Sequence, residues 1–275
     1  MNATFEKILK EVNTNWLMEN SQKLMEIELG QTFENYRAAA AFTAKLIKEA
    51  GLENCEIIDF PADGKTVYQD KRMPIAWRAS VGKLTIKKSA IQFDNPVVAD
   101  YNRHPFHLVK GSVATPPGGL NVRIITEGQL FAGEDAKGCL VMLNPFTWLR
   151  AKILTPALDL GAIGLISDFL TVRHDTPHAV QWVTACTEGG NWHVQAGERP
   201  FICFSVSPEA GEKIRSAASS GALTAHVECD GERYESSLPA VTAMIPGRRK
   251  KELWVLSHCL QDKRSRRESP FGNGS

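Results

Sequence analysis

Missing from the sequence are several patterns that would announce a chemistry at once. There is no Gly-x-Ser-x-Gly elbow, so a serine α/β-hydrolase is unsupported. There is no Gly-x-x-x-x-Gly-Lys-Ser/Thr loop, which removes the NTPases that cradle phosphate on backbone N–H groups. The six cysteines, Cys55, Cys139, Cys186, Cys203, Cys229 and Cys259, include no Cys-x-x-Cys pair, so a zinc ribbon is unsupported. Near the start no apolar run reaches signal-peptide length, because Glu6, Lys7, Lys10 and Glu11 interrupt it. Nowhere does an apolar stretch approach the roughly eighteen residues of a membrane span. Nor is there an excess of either charge: 32 Lys and Arg face 31 Asp and Glu, a formal +1. Bulk charge therefore does not point to nucleic acid. The expectation is a cytoplasmic chain with no nucleic-acid partner and no membrane, with Cys139, Cys203 and Cys229 in strand-like runs packed as small hydrophobes.

What is present suits a folded protein. The 275 residues are 43% apolar and 23% charged, enough for one large domain or two ordinary ones. The last fourteen differ in kind. Residues 262–275 carry Lys263, Arg264, Arg266 and Arg267 against Asp262 and Glu268, with Phe271 as the one large apolar side chain. Without them the formal charge would be −1. Residues 261–275 are read as an atypical, disordered tail.

Along the chain, Phe5, Ile8, Leu9 and Val12 recur at helical spacing, and Trp16 and Leu17 continue the stripe. A second helix is expected from Thr32 to Ala50, with Phe33, Tyr36, Ala40, Ile47 and Ala50 on its buried side and Gly51 ending it. Cys55 to Phe60 reads as a strand. Residues 61–95 are turn-rich, with short strands at Ala76–Ala79 and Leu84–Ile86. From 96 to 235 short apolar strands (VVADY, NVRIIT, GCLVMLN, GAIGLISDF, FICFSVS) alternate with Gly/Pro turns. Leu154–Leu160 is expected to be helical, and Ser207 to cap a helix with Pro208 in its first turn. Ala225–Cys229, Leu238–Ile245 and Glu252–Cys259 are the last strands.

The segment SLPAVTAMIPGRRKKELWVLSHC resembles the strand–turn–strand of di-zinc aminopeptidases of the aminopeptidase Y and glutamate-carboxypeptidase type. In that family a strand ends in Ile-Pro-Gly, here Ile245, Pro246 and Gly247, and the next strand delivers a zinc-binding His, here His258. AKGCLVMLN, GAIGLISDF and FICFSVSPEAGEKI resemble the protease-associated domain that the family often carries as an insertion. AAAAFTAKLIKEAGLENCEIIDFPADG resembles its first helix and strand. The resemblance implies an α/β fold: a partial peptidase-like α/β domain in residues 1–95 and 236–260, interrupted by a protease-associated (PA)-like α+β domain at 96–235. It implies a zinc cofactor and a peptide substrate whose N-terminal residue is removed. A zinc pair would polarise the scissile carbonyl and supply hydroxide, with a Glu shuttling the proton.

His258 is the only candidate metal ligand that the resemblance transfers. A co-catalytic pair needs about five N/O ligands, and the 17 residues after His258 hold Asp262 and Glu268 and no His. The stretch SPFGNGS matches the family's Gly/Asn-rich loop without its Asp. The expectation is a chain truncated or shifted in frame after Leu260, without catalytic residues of its own and without stably bound zinc. The alternative is a non-catalytic PA-domain module that binds peptide or protein.

Other constellations are weaker. His104 and His107 straddle Pro105, which spoils helical i, i+3 geometry, so a turn pair is expected. His174, Asp175 and His178 read as a solvated loop. Cys259 beside His258 is no nucleophile pair, because strand neighbours point to opposite faces. Arg248–Lys251 reads as a solvated hairpin tip, and Trp182 and Trp192 as partly buried core.

Overall fold

The computed structural model describes residues 3–30, 32–170, 176–188, 193–247 and 266–267. Helices α1 (Ala3–Glu11), α2 (Thr14–Ile27) and α3 (Phe33–Glu49) lead into strand β1 (Glu53–Ala62). Then come β2 (Val67–Tyr68), β3 (Lys71–Arg72), β4 (Ala76–Arg78), β5 (Gly82–Lys88) and β6 (Val97–Asp100). After a 3₁₀ turn at Pro105–His107 follow β7 (Leu120–Thr126), α4 (Glu127–Phe131), β8 (Leu140–Met142), α5 (Ala151–Asp159) and β9 (Gly164–Ser167). The series ends with β10 (Ala179–Val180), β11 (Phe204–Ser205), α6 (Pro208–Ser220), β12 (Leu223–Cys229), β13 (Glu232–Tyr234), β14 (Ser236–Met244) and β15 (Arg266–Arg267). The fold is mixed α/β. The chain divides into one unit of Met1–Leu29, Glu34–Asp59 and Pro239–Asp262, and a second centred on Phe60–Leu238.

In the first unit the apolar stripe of the opening residues is split. Asn13 accepts the Trp16 N–H at 3.0 Å and caps α2, so α1 stops at Glu11. Helix α3 lies within one residue of its expected bounds, and Gly51 takes φ +77° after it. Ala39, Ala40 and Ala44 are buried, whereas Ala50 is exposed. The chain leaves the helix after Glu49, so position 50 no longer lies on that face. Strands β1 and β14 pair with each other as a two-stranded sheet. The expected strand Glu252–Cys259 lies outside the described residues.

The Phe60–Leu238 unit is built on a seven-stranded sheet of order β11-β9-β8-β7-β12-β5-β6. Strands β7, β8, β9 and β11 are mutually parallel, while β12, β5 and β6 run antiparallel. Parallel neighbours need crossovers, and α4 and α5 supply the first two. The parallel strands are buried on both faces, and their side chains alternate between two cores. Leu140 and Met142 join one cluster, with Ile214 and Ala217 of α6. Val141 and Leu143 join the other, with Ile153, Leu154 and Ala157 of α5. That double burial is why GCLVMLN reads as an unbroken apolar run. Strand β12 has one solvated face instead: Leu223, Ala225, Val227 and Cys229 are buried, and the residues between them are not.

Strand β5 belongs to this sheet, pairing with both β12 and β6. The sheet therefore takes in residues upstream of position 96, where composition placed the boundary. The turn-rich texture of 61–95 hides β5, whose GKLTIKK alternates buried and partly exposed positions over its first five residues. At Gly164 a Cβ would collide with the Ile202 carbonyl, so glycine is what lets the two segments close.

Candidate functional site

His258 and Cys259 lie outside the described residues, as do Arg248–Lys251, His174, Asp175 and Trp192. His104 and His107 are buried on the 3₁₀ turn, with ring centroids 5.5 Å apart. His107 Nδ1 lies 2.7 Å from the Ser205 carbonyl, which ties that turn to β11. The expected turn pair is thus a packing element. His178 is half-exposed and sits 2.6 Å from the Glu209 carboxylate. Trp182 is partly buried. Among the described residues no three His, Cys, Asp or Glu side chains gather as metal ligands. These residues do not fit a zinc pair, and no catalytic step follows from them.

The structure assembles instead a polar layer at the carboxyl ends of the parallel strands. Asp168, directly after β9, is fully buried, and Arg215 of α6 grips it with two hydrogen bonds of 3.0 and 2.8 Å. Arg215 also donates to the Leu143 carbonyl at 3.0 Å, so one guanidinium fastens α6 to the ends of β8 and β9. Gly211 leaves room where α6 crosses Asp168, since a Cβ there would strike the carboxylate. Glu127, after β7, accepts from the Asn144 N–H at 2.8 Å and from Thr147 Oγ1 at 3.2 Å, shaping the loop that follows β8. On that loop Trp148 stacks on Phe169 with centroids 5.7 Å apart, and the Arg150 guanidinium lies 4.0 Å from the Trp148 ring centre. Sequence reasoning missed the Asp168–Arg215 pair, whose members are 47 positions apart. A charged residue closing a buried apolar strand was the available signal, because such a group must find a partner.

At the opposite, amino ends of the strands an apolar groove of about 400 Å³ opens. Val113, Leu120, Ile163, Phe201 and Ile202 line it, with Leu158 of α5. Arg199 stands at its rim, held by Asp159 at 2.7 Å and by the Thr155 carbonyl at 3.2 Å.

The five cysteines among the described residues are free. Burial raises the Cys203 and Cys229 thiols to about 12, so they stay protonated, which matches their reading as small hydrophobes. Burial also pushes the Cys186 thiol up. No helix among the described residues is long and apolar enough to cross a membrane.

No family model and no curated relative matches the sequence. Solved structures do. A Peptidase M28 precursor from Shewanella amazonensis SB2B aligns with a TM-score of 0.51 at 15% identity, over 82% of this chain and 52% of that one. This chain shares that fold. BSAP, a zinc aminopeptidase from Bacillus subtilis, aligns with a TM-score of 0.49 at 14% identity, over 84% of this chain and 48% of BSAP. The chain thus spans about half the length of each of these proteins.

Proposed function

We propose that this chain is the front part of a zinc-aminopeptidase-like protein, carrying a PA-like insertion, and that as it stands it has no peptidase activity. The carrying observation is the fold shared with the Peptidase M28 precursor over 82% of the chain. The order of elements supports it: α3 and β1 come first, the seven-stranded unit is inserted, and β14 returns to pair with β1. A reducing, cytoplasmic setting belongs to the same proposal. The test is zinc-loaded protein against a panel of aminoacyl chromogenic substrates. No turnover is expected; turnover that His258→Ala abolishes would overturn the proposal.

A second reading is favoured by the groove at the amino ends of the strands. In it the Phe60–Leu238 unit holds a peptide without cleaving it, an apolar side chain filling the space above Leu120 and Ile163. Calorimetric titration of the full chain with apolar-rich peptides should show binding that Leu120→Asp removes. Heats that are the same for both proteins would discard this reading.

A further inference from the structure

We infer that α1 is a self-association surface: two copies of this chain pair through its apolar side, antiparallel, about a twofold axis that passes between Ile8 and Leu9. Every side chain of α1 from Phe5 to Glu11 is exposed, so no side of the helix is covered within the described residues. The helix that follows, α2, buries none of its side chains either. A free helix of nine residues is marginal in water, because the ordering of its first turn is offset by few hydrogen bonds. An apolar face packed against a partner is what makes so short a helix persist. The inference rests on α1 alone and stands apart from the peptidase reading.

Such a face is present. Phe5, Ile8, Leu9 and Val12 stand at i, i+3, i+4 and i+7, which makes one stripe, and each is about half exposed. The stripe reads the same in both directions. Turned end for end about a point between Ile8 and Leu9, it meets itself: Phe5 comes opposite Val12 of the second copy, and Ile8 opposite its Leu9. A contact between identical chains related by a twofold axis has to be self-complementary in this way.

Charge selects the same occupant. The polar residues of this stretch are Glu6, Lys7, Lys10 and Glu11. At about 100° per residue, Glu6 and Lys10 fall on one flank of the stripe, and Lys7 and Glu11 on the other. The end-for-end turn sets each flank against its own copy. Glu6 therefore reaches Lys10 of the second copy on one flank, and Lys7 reaches its Glu11 on the other, with opposite charges at each meeting. The four charges also sum to zero, so α1 lacks the excess of Lys and Arg by which a surface helix seeks anionic lipid. The contact is short, which places it among small, reversible interfaces rather than obligate ones.

The experiment is sedimentation equilibrium of the full chain at concentrations from about 1 to 200 μM. A reversible monomer–dimer equilibrium is expected. Leu9→Glu sets a carboxylate against the apolar stripe of the second copy and should weaken dimerisation by about tenfold or more. Because Leu9 is half exposed, the same change should leave melting at the lowest concentration where it was. Glu6→Lys should weaken the dimer by about threefold, and adding Lys10→Glu to it should restore the affinity. These two positions are exposed, so that pair of variants decides the matter in case Leu9→Glu does not fold. A chain that stays monomeric over the whole range overturns the inference. So does a dimer that Leu9→Glu leaves intact, which puts the contact elsewhere. So does a monomer that co-sediments with phosphatidylcholine–phosphatidylserine vesicles, which gives the stripe to lipid.

Discussion

The Phe60–Leu238 unit and the segments flanking it treat apolar side chains differently. In the former, Leu140, Val141, Met142 and Leu165 are all 0% exposed. Before it, Phe5, Ile8, Leu9 and Trp16 are each about half exposed. Ile57 and Ile58 on β1 point to opposite faces of the strand, and both are 41% exposed. So β1 is fully covered on neither side, while β8 is covered on both. The contrast shows that apolar patterning makes a helix or strand amphipathic, but a second and third layer must be at hand to bury it. The seven-stranded sheet has α4 and α5 near one face and α6 on the other.

That contrast can be broken or sharpened by mutation. The largest effect is expected at the ion pair that locks α6. Arg215→Ala strands a fully buried Asp168 and should cost about 3–5 kcal/mol in denaturant unfolding. A loss under about 1 kcal/mol would mean that the pair does not hold the layers together. Next comes a matched pair of truncations. Leu165→Ala should cost about 2–5 kcal/mol by opening a cavity between β9 and α5. Leu9→Ala, on the exposed stripe of α1, should change stability by no more than about 0.5 kcal/mol. Equal costs would erase the distinction between the two regions.

The smallest effect is electrostatic. Thr66 Oγ1, then the Thr66 and Lys65 N–H groups, hold the half-buried Asp63 carboxylate and lower it from 3.8 to about 2. A carboxylate bound more weakly to protons in the folded chain stabilises it above the ordinary value, and that contribution fades as pH falls through about 2. An NMR titration of Asp63 should show the low midpoint, and Thr66→Val should move it up. A midpoint left where it was would assign the shift to the backbone donors alone.

Much of the secondary structure was legible along the chain. Helix α3 ends where Gly51 allows a left-handed turn, and α6 begins where Ser207 accepts the Ala210 N–H, 3.4 Å away. These are local events, decided by neighbours within four residues. The α1–α2 break at Asn13 was local too. It was missed because the apolar spacing runs across it, while the cap depends on a single side chain. Strand β5 was seen only in part, since its partners β12 and β6 lie on either side of it in the sheet, one of them far downstream in the sequence.

The polar chemistry was the least legible. Asp168 with Arg215, and Arg233 with the carbonyls of Gly111, Glu198 and Arg199, join residues brought near one another only by the crossover connections of the sheet. The sequence by itself determined the alternation of strands and helices, the double-sided apolar runs of a buried parallel sheet, and the burial of Cys139, Cys203 and Cys229, because periodicity and hydrophobicity act through near neighbours and through transfer from water. Tertiary structure alone decided which charges are buried, which partner each one finds and where space remains beside them. Those depend on the separation of atoms distant in sequence, which no local pattern encodes.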